Sequence, residues 1–301
     1  MEEPDTNPVT TPFNWHHLSQ AELDTQSWLK TNLDLSEEEI SALCDELTRP
    51  RVLFTKNGEL ICILRTIYTE ADDTFSMVSI RCFVSREQIV SLSQYQIDFF
   101  HQLERLSVRD ITSADFFYNL CELSSNRITN KIVEMDEKAH CLHDMWDDNE
   151  SIELNNILKI RKQISHIQRF LLSQADVFLK LAQYFNSHRK NEDQTMTSSW
   201  RELNNATHRD IEALTEIRER LQILQDAIMQ KREETHNKIL FLMSLVSTVF
   251  LPLTFIASLL GMNVSGIPLQ TGSDGFWILC GFLCFIALLE LALFRLWKWI
   301  K

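Results

Sequence analysis

Ile239–Leu260 reads ILFLMSLVSTVFLPLTFIASLL, an unbroken stretch without a charge. At 1.5 Å per residue, a helix of that length reaches about 33 Å, enough to cross a hydrocarbon core of roughly 30 Å. A second run, Phe276–Phe294 (FWILCGFLCFIALLELALF), has one interruption, Glu290. Both runs are apolar all round, unlike the one-sided pattern of a helix packed on a soluble core. They predict two transmembrane helices, over 239–260 and 276–294, in a membrane domain of residues 239–301. The outer loop is 261–275. Trp297 and Trp299, beside Arg295, Lys298 and Lys301, supply an interfacial belt.

Orientation follows from the basic residues. Lys231, Arg232 and Lys238 precede the first run, Arg295, Lys298 and Lys301 follow the second, and the loop has none. The positive-inside rule then places both termini in the cytoplasm. Five of the six glycines (261, 266, 272, 275 and 281) lie in the loop or just beyond it, where a tight reversal needs them.

The 301 residues carry 29 Lys plus Arg and 42 Asp plus Glu, a net charge of −13. Residues 1–238 hold 26 of those bases and 40 of those acids. Such acidity argues against a nucleic-acid partner and suits a protein that handles cations. No phosphate loop, nucleophile motif or paired-acid constellation marks an enzyme. The seven cysteines are scattered and form no Cys-x-x-Cys pair, so they read as reduced thiols. No base precedes Lys30 and no apolar stretch opens the sequence, which excludes a secretory or Arg-rich leader.

Residues 1–14 are a loose Pro/Thr-rich tail, ahead of a cytosolic α/β domain over 15–198. Glu59–Ile67, Ser76–Val84 and Gln88–Leu92 alternate or run β-branched and read as strands. Asn57-Gly58 is a hairpin-type turn before the first. No proline falls between Pro50 and Pro252 and no glycine between Gly58 and Gly261, so long helices follow from about residue 112. Ile157, Ile160, Ile164, Ile167, Leu171, Gln174, Phe178, Leu181 and Phe185 keep a 3-4 spacing, a coiled-coil-like seam. Its partner is a preceding helix over about Thr112–Trp146, with the turn in Asp147–Glu153. Ser199 and Glu202 form a capping box that starts a third helix, with the seam Leu214, Ile217, Leu221, Leu224 and Ile228. Nothing interrupts it before the membrane. Residues 199–238 are therefore a cytosolic stalk continuous with the first span, and a stalk so long calls for copies of itself in an oligomer.

On a helical projection with Ser244 as the reference, Asp226 falls on the same line and Asn237 within about 20° of it. Ser247, Thr248, Leu251, Phe255 and Ser258 stay within about 60° of that line, and Thr254 lies at its edge. Leu260, on the far side, is expected to face lipid. Small hydroxyl residues also serve close helix packing, so the stripe alone fits packing or pore lining. Continuity with Asp226 and Asn237 favours a water-filled path.

The first span ends in Gly261-Met262-Asn263-Val264-Ser265-Gly266-Ile267-Pro268. Gly-Met-Asn after the first of two C-terminal spans, with Leu251-Pro252-Leu253-Thr254-Phe255 before it, resembles the CorA superfamily of divalent-cation transporters. Val264-x-Gly266-Ile267-Pro268, Trp15-x-His17-Leu18, Trp28-Leu29 and Thr48-Arg49-Pro50-Arg51 resemble its zinc-transporting ZntB branch. Leu269 and Gln270 follow the loop proline where magnesium transporters of the family carry an acid. The resemblance implies a homopentamer in the cell inner membrane, with an α/β/α cytosolic domain hung on the stalk. Gly261, Met262 and Asn263 would form the outer mouth, Asn263 as a ring of amide oxygens for a hydrated divalent ion. Asp226, Asn237, Thr248, Leu251 and Thr254 match pore positions, and Ser244, Ser247 and Ser258 share their face.

A second candidate is the tip of the helical hairpin. His140, His143, Asp144 and Asp147 fall at i, i+3, i+4 and i+7, a zinc-compatible set on one helix face. A solvated acidic tip with incidental histidines is the simpler reading. Glu290 is costly in lipid unless paired or near headgroups, and Arg295 or snorkelling is the simplest relief. Cys280 and Cys284 share a face as small apolar fillers. The function expected is a divalent-cation transporter with no tightly bound cofactor, zinc as the transported ion, and magnesium or cobalt as the alternative. A membrane-anchored coiled-coil scaffold or sensor is the reading from another class.

Overall fold

A computed structural model describes residues 13–19, 24–45, 49–70, 74–107, 111–188, 194–262 and 275–296. Five strands, β1 (Asn14–Ser19), β2 (Arg51–Phe54), β3 (Leu60–Thr69), β4 (Phe75–Val84) and β5 (Gln88–Ser93), form one sheet in the order β1-β5-β4-β3-β2. β1 runs parallel to β5 and every other pair is antiparallel. Helices α1 (Thr25–Asn32), α2 (Glu37–Cys44), α3 (Phe100–Ser107), α4 (Ser113–Asp147), α5 (Leu154–His188), α6 (Gln194–Leu260) and α7 (Gly275–Leu296) complete the chain.

The central strands are buried on both faces, which is why they read as near-continuous apolar runs. Cys62, Leu64, Ile80, Cys82 and Ile89 lie against Phe100, Phe116, Phe117, Leu120, Phe178, Leu181 and Trp200 from α3, α4, α5 and α6. Ile61, Phe83, Val90 and Leu92 point the other way, under Leu29, Ile40 and Leu43 of α1 and α2. The layers are α/β/α. All seven cysteines are free, and burial pushes the thiols of Cys62, Cys82 and Cys121 well up, so these three are inert core fillers.

Gly58, at φ +79°, makes the turn between β2 and β3. Tyr184 of α5 donates its hydroxyl to the Gly58 carbonyl at 3.0 Å and stacks on Phe54 at 4.7 Å. The edge strands β1 and β2 escape the sequence pattern: NWHHLS is polar and largely exposed, and RVLF has only four residues. Trp15 and His17 nonetheless pin β1, both hydrogen-bonded to the buried Ser91 hydroxyl at 2.9 Å. Burial draws the His17 imidazole below its ordinary value, opposed by the Ser91 bond and by Glu104. The Trp-x-His opening is thus a packing device.

Thr112 caps α4 in a capping box with Asp115, and α4 and α5 are 35 residues each. The connection between them includes Asn149, at φ +59°. The α5 seam from Ile157 to Leu181 is buried throughout. Its polar member, Gln174, accepts the backbone N–H of Arg65 in β3 at 2.8 Å, so the seam packs on the sheet as well as on α4. α6 begins at Gln194, ahead of the start expected at Ser199. Ser199 is an interior helical residue, not a cap, because Met196 and Trp200 are core residues that draw the earlier turn into the helix. Two compact units divide inside α6, residues 1–225 and 226–301.

Candidate functional site: the polar line of α6

α6 is one helix of 67 residues with a single internal proline, Pro252. It carries the apolar stretch that is long enough to cross a bilayer, and that stretch is unburied in the single chain. Among the described residues the apolar run of α7 is Gly275–Glu290, within a helix of 22 residues.

Along α6, Asp226, Asn237, Ser244, Ser247, Thr248, Leu251, Thr254 and Ser258 are all exposed. Leu251 is 72% and Phe255 65% open, values that leave this face uncovered by the rest of the chain. Leu245, Val249, Pro252, Leu253, Ile256 and Leu260 are partly covered instead. They centre about 130° around the helix from the polar line. α7 has a matching half-covered stripe at Leu279, Leu283, Ile286, Ala287 and Glu290. The polar line is left open.

Two hydroxyls on this line, Ser247 and Thr248, have a fixed polarity. Ser247 Oγ donates to the Met243 carbonyl at 3.0 Å, and Thr248 Oγ1 donates to the Ser244 carbonyl at 2.8 Å. Each hydrogen is directed back into the helix, so the oxygen lone pairs face outward, the polarity a cation requires. Pro252 has no N–H to give to the Thr248 carbonyl four residues earlier. At the end of the apolar stretch the Gly261 N–H donates to the Ala257 carbonyl at 2.9 Å. A Cβ at Gly261 would stand 3.1 Å from that carbonyl, so glycine suits this close approach. Met262 is half exposed. Asn263, the remaining mouth residue, lies outside the described residues, as do Val264–Asp274 and Trp297–Lys301.

The hairpin tip is organised differently from the expected metal set. Arg220 of α6 donates Nη1 to His140 Nε2 at 2.8 Å and Nη2 to Asp136 at 2.5 Å. His140 thus shares Arg220 with Asp136. His143, Asp144 and Asp147 are not gathered with it, and no group of three His, Cys, Asp or Glu among the described residues is placed to hold a metal ion. The sequence offered no signal for Arg220, which is 80 residues from His140 and meets it only through the packing of α4 and α6. The same packing joins Thr129 Oγ1 to Asp210 at 2.8 Å.

Glu290 is not relieved by Arg295. Its Oε2 is buried and has no hydrogen-bond partner among the described residues. Arg295 stands five positions on, about 140° around the helix. Leu260, expected to face lipid, is partly covered.

A family model described as "CorA-like Mg2+ transporter protein" matches residues 11–296. The chain is 28% identical over 293 residues to the divalent cation transporter CmaX of Pseudomonas aeruginosa, covering 95% of this chain and 87% of that one. It is 26% identical over 306 residues to the zinc transport protein ZntB of Photorhabdus laumondii subsp. laumondii, covering 99% of this chain and 90% of that one. A solved structure of full-length CmaX superposes with a TM-score of 0.79 at 27% identity, over 95% of this chain and 88% of that one. The long helix, the α/β/α layers and the family match agree: the chain belongs to the CorA-like family.

Proposed function

We propose that this protein is a divalent-cation transporter of the cell inner membrane, with zinc as its ion. Its path is the polar line of α6. The observation that supports this is the exposed line of oxygen-bearing side chains from Asp226 to Ser258, which runs through the apolar stretch. One helix cannot enclose a path, so several copies must bring their lines together, and the family resemblance makes the number five. Both α6 and α7 cross the membrane in this reading, with both termini cytoplasmic and Asn263 ringing the outer mouth. The 22 residues of α7 reach about 33 Å, sufficient for a crossing if Glu290 is accommodated.

Zinc is favoured over magnesium because the loop offers no carboxylate before Asp274. Magnesium releases its water reluctantly, whereas zinc exchanges it and accepts nitrogen ligands. The test is zinc-dye and magnesium-dye flux in proteoliposomes with native mass spectrometry of the detergent-solubilised protein. Zinc should enter with little competition from magnesium, from a five-copy assembly, and Asn263→Ala should reduce entry at least about tenfold with assembly intact. Ready magnesium entry with zinc acting as a blocker would replace zinc by magnesium. Absence of any flux would favour a scaffold.

A further inference from the structure

We propose that α5 of one copy packs against the cytosolic part of α6 of the next, a basic face on an acidic one. The inference rests on the reading above that several copies assemble, and it names the faces that meet ahead of the apolar stretch.

α5 carries five Lys or Arg and one acid, Asp176, in a chain whose net charge is −13. Away from its buried seam runs a second line, from Leu158 through Lys162, Ser165, Arg169 and Leu172 to Leu179, all exposed. Leucines at 158, 172 and 179 stand at whole heptad intervals, the spacing with which one helix meets another. α6 presents the opposite sign. Glu212, Glu216, Glu219 and Ile223 are exposed on one face of it. Within one chain the two lines do not meet, because α5 touches α6 through other side chains. Arg161 bonds Gln225 at 2.6 Å and Gln168 bonds Thr215 at 3.2 Å. Lys162, Arg169, Glu212 and Glu219 have no ion-pair partner among the described residues.

Those two hydrogen bonds show α5 and α6 antiparallel and set their relative height. In a ring whose axis runs along the helices, rotation from one copy to the next leaves every residue at its own height. Lys162 then comes within about 8 Å of the level of the neighbour's Glu219, and Arg169 within about 3 Å of the level of Glu212. Both lines step 4-3-4, so one antiparallel register sets Lys162 beside Glu219, Arg169 beside Glu212 and Leu158 beside Ile223. Each copy gives α5 on one side and α6 on the other, the head-to-tail contact that closes a ring. Pairing α5 with α5 would set base on base, which opposes that alternative.

The test uses the full-length protein in detergent, with Cys44, Cys141, Cys280 and Cys284 replaced by Ser, since these four are not buried. Leu158→Cys and Ile223→Cys are introduced together and singly, and a short bis-maleimide is added. The double variant should run on a denaturing gel as a ladder of linked copies, and each single variant as one copy. In the double variant, Lys162→Glu with Arg169→Glu should cut the linking several-fold. Adding Glu212→Lys with Glu219→Lys should restore it. With assembly shown by native mass spectrometry, a double variant linked only within its own chain, or not linked, overturns the proposal. So does linking that charge reversal leaves unchanged, or a Leu158→Cys variant that links by itself. A lone copy in native mass spectrometry would remove the assembly reading and this one with it. A ladder in a protein without zinc flux would keep the contact and remove the transporter reading.

Discussion

The hydroxyl hydrogens of Ser247 and Thr248 are tied to carbonyls one turn back, so what these residues offer outward is oxygen. Bulk at that point should obstruct the path in every copy at once. Thr248→Trp is expected to lower zinc flux about tenfold or more, whereas Val246→Trp should leave it near wild type. Val246 is 55% exposed and lies about 160° from the polar line. Equal losses in proteoliposome flux would mean that the conducting face is misassigned. A second residue-scale expectation concerns Asp210, which burial pushes above its ordinary value of 3.8, against the lowering effects of the Thr129 hydrogen bond and Arg209. The native state then binds this proton more tightly than the unfolded chain. Its contribution to stability is complete below the ordinary value and is lost as pH rises through the raised one. Asp210→Asn keeps an oxygen for Thr129 and removes the ionisation. Thermal unfolding in detergent should therefore show the variant gaining on the wild type as pH rises towards neutrality, and a constant difference would refute the assignment.

At the scale of elements, the sequence was legible where a period was long and uninterrupted. β3, β4 and β5 lie close to their expected bounds, and the α5 and α6 seams are buried as spaced. β1, β2, α1, α2 and α3 were not legible, because such short segments on an outer layer carry too few apolar positions to establish a period. The α6 start was misplaced for a related reason. Ser199 and Glu202 satisfy the spacing of a capping box, and only the tertiary burial of Met196 and Trp200 shows that the helix is already under way. The box that does form is Thr112 with Asp115, where the Thr112 hydroxyl holds the Asp115 carboxylate at 2.6 Å. Thr112→Ala should cost about 1 kcal/mol of stability, read as a lowered unfolding midpoint with far-UV helicity retained. Of the candidate sites, the polar line could be read from helical spacing alone. The Arg220–His140 contact could not, since it depends on how α4 and α6 pack.

For the whole molecule, the charge distribution and the fold agree on a division of labour. The acidic residues lie almost entirely before Ile239, and the apolar faces lie after it. α6 belongs to both parts, and it has no glycine and one proline in 67 residues. On one uninterrupted helix we expect the buried seam at Leu214–Leu224 and the open line at Ser244–Ser258 to keep a common phase, like two cams cut on one shaft. Adding one residue between Gln230 and Lys238 would turn one cam about 100° against the other, while adding seven would return it to within about 20°. The one-residue insertion should fold its cytosolic layers and conduct nothing, and the seven-residue insertion should conduct again. Proteoliposome flux in the two variants reads the phase directly. Wild-type conduction after a single added residue would mean that the shaft is free to twist.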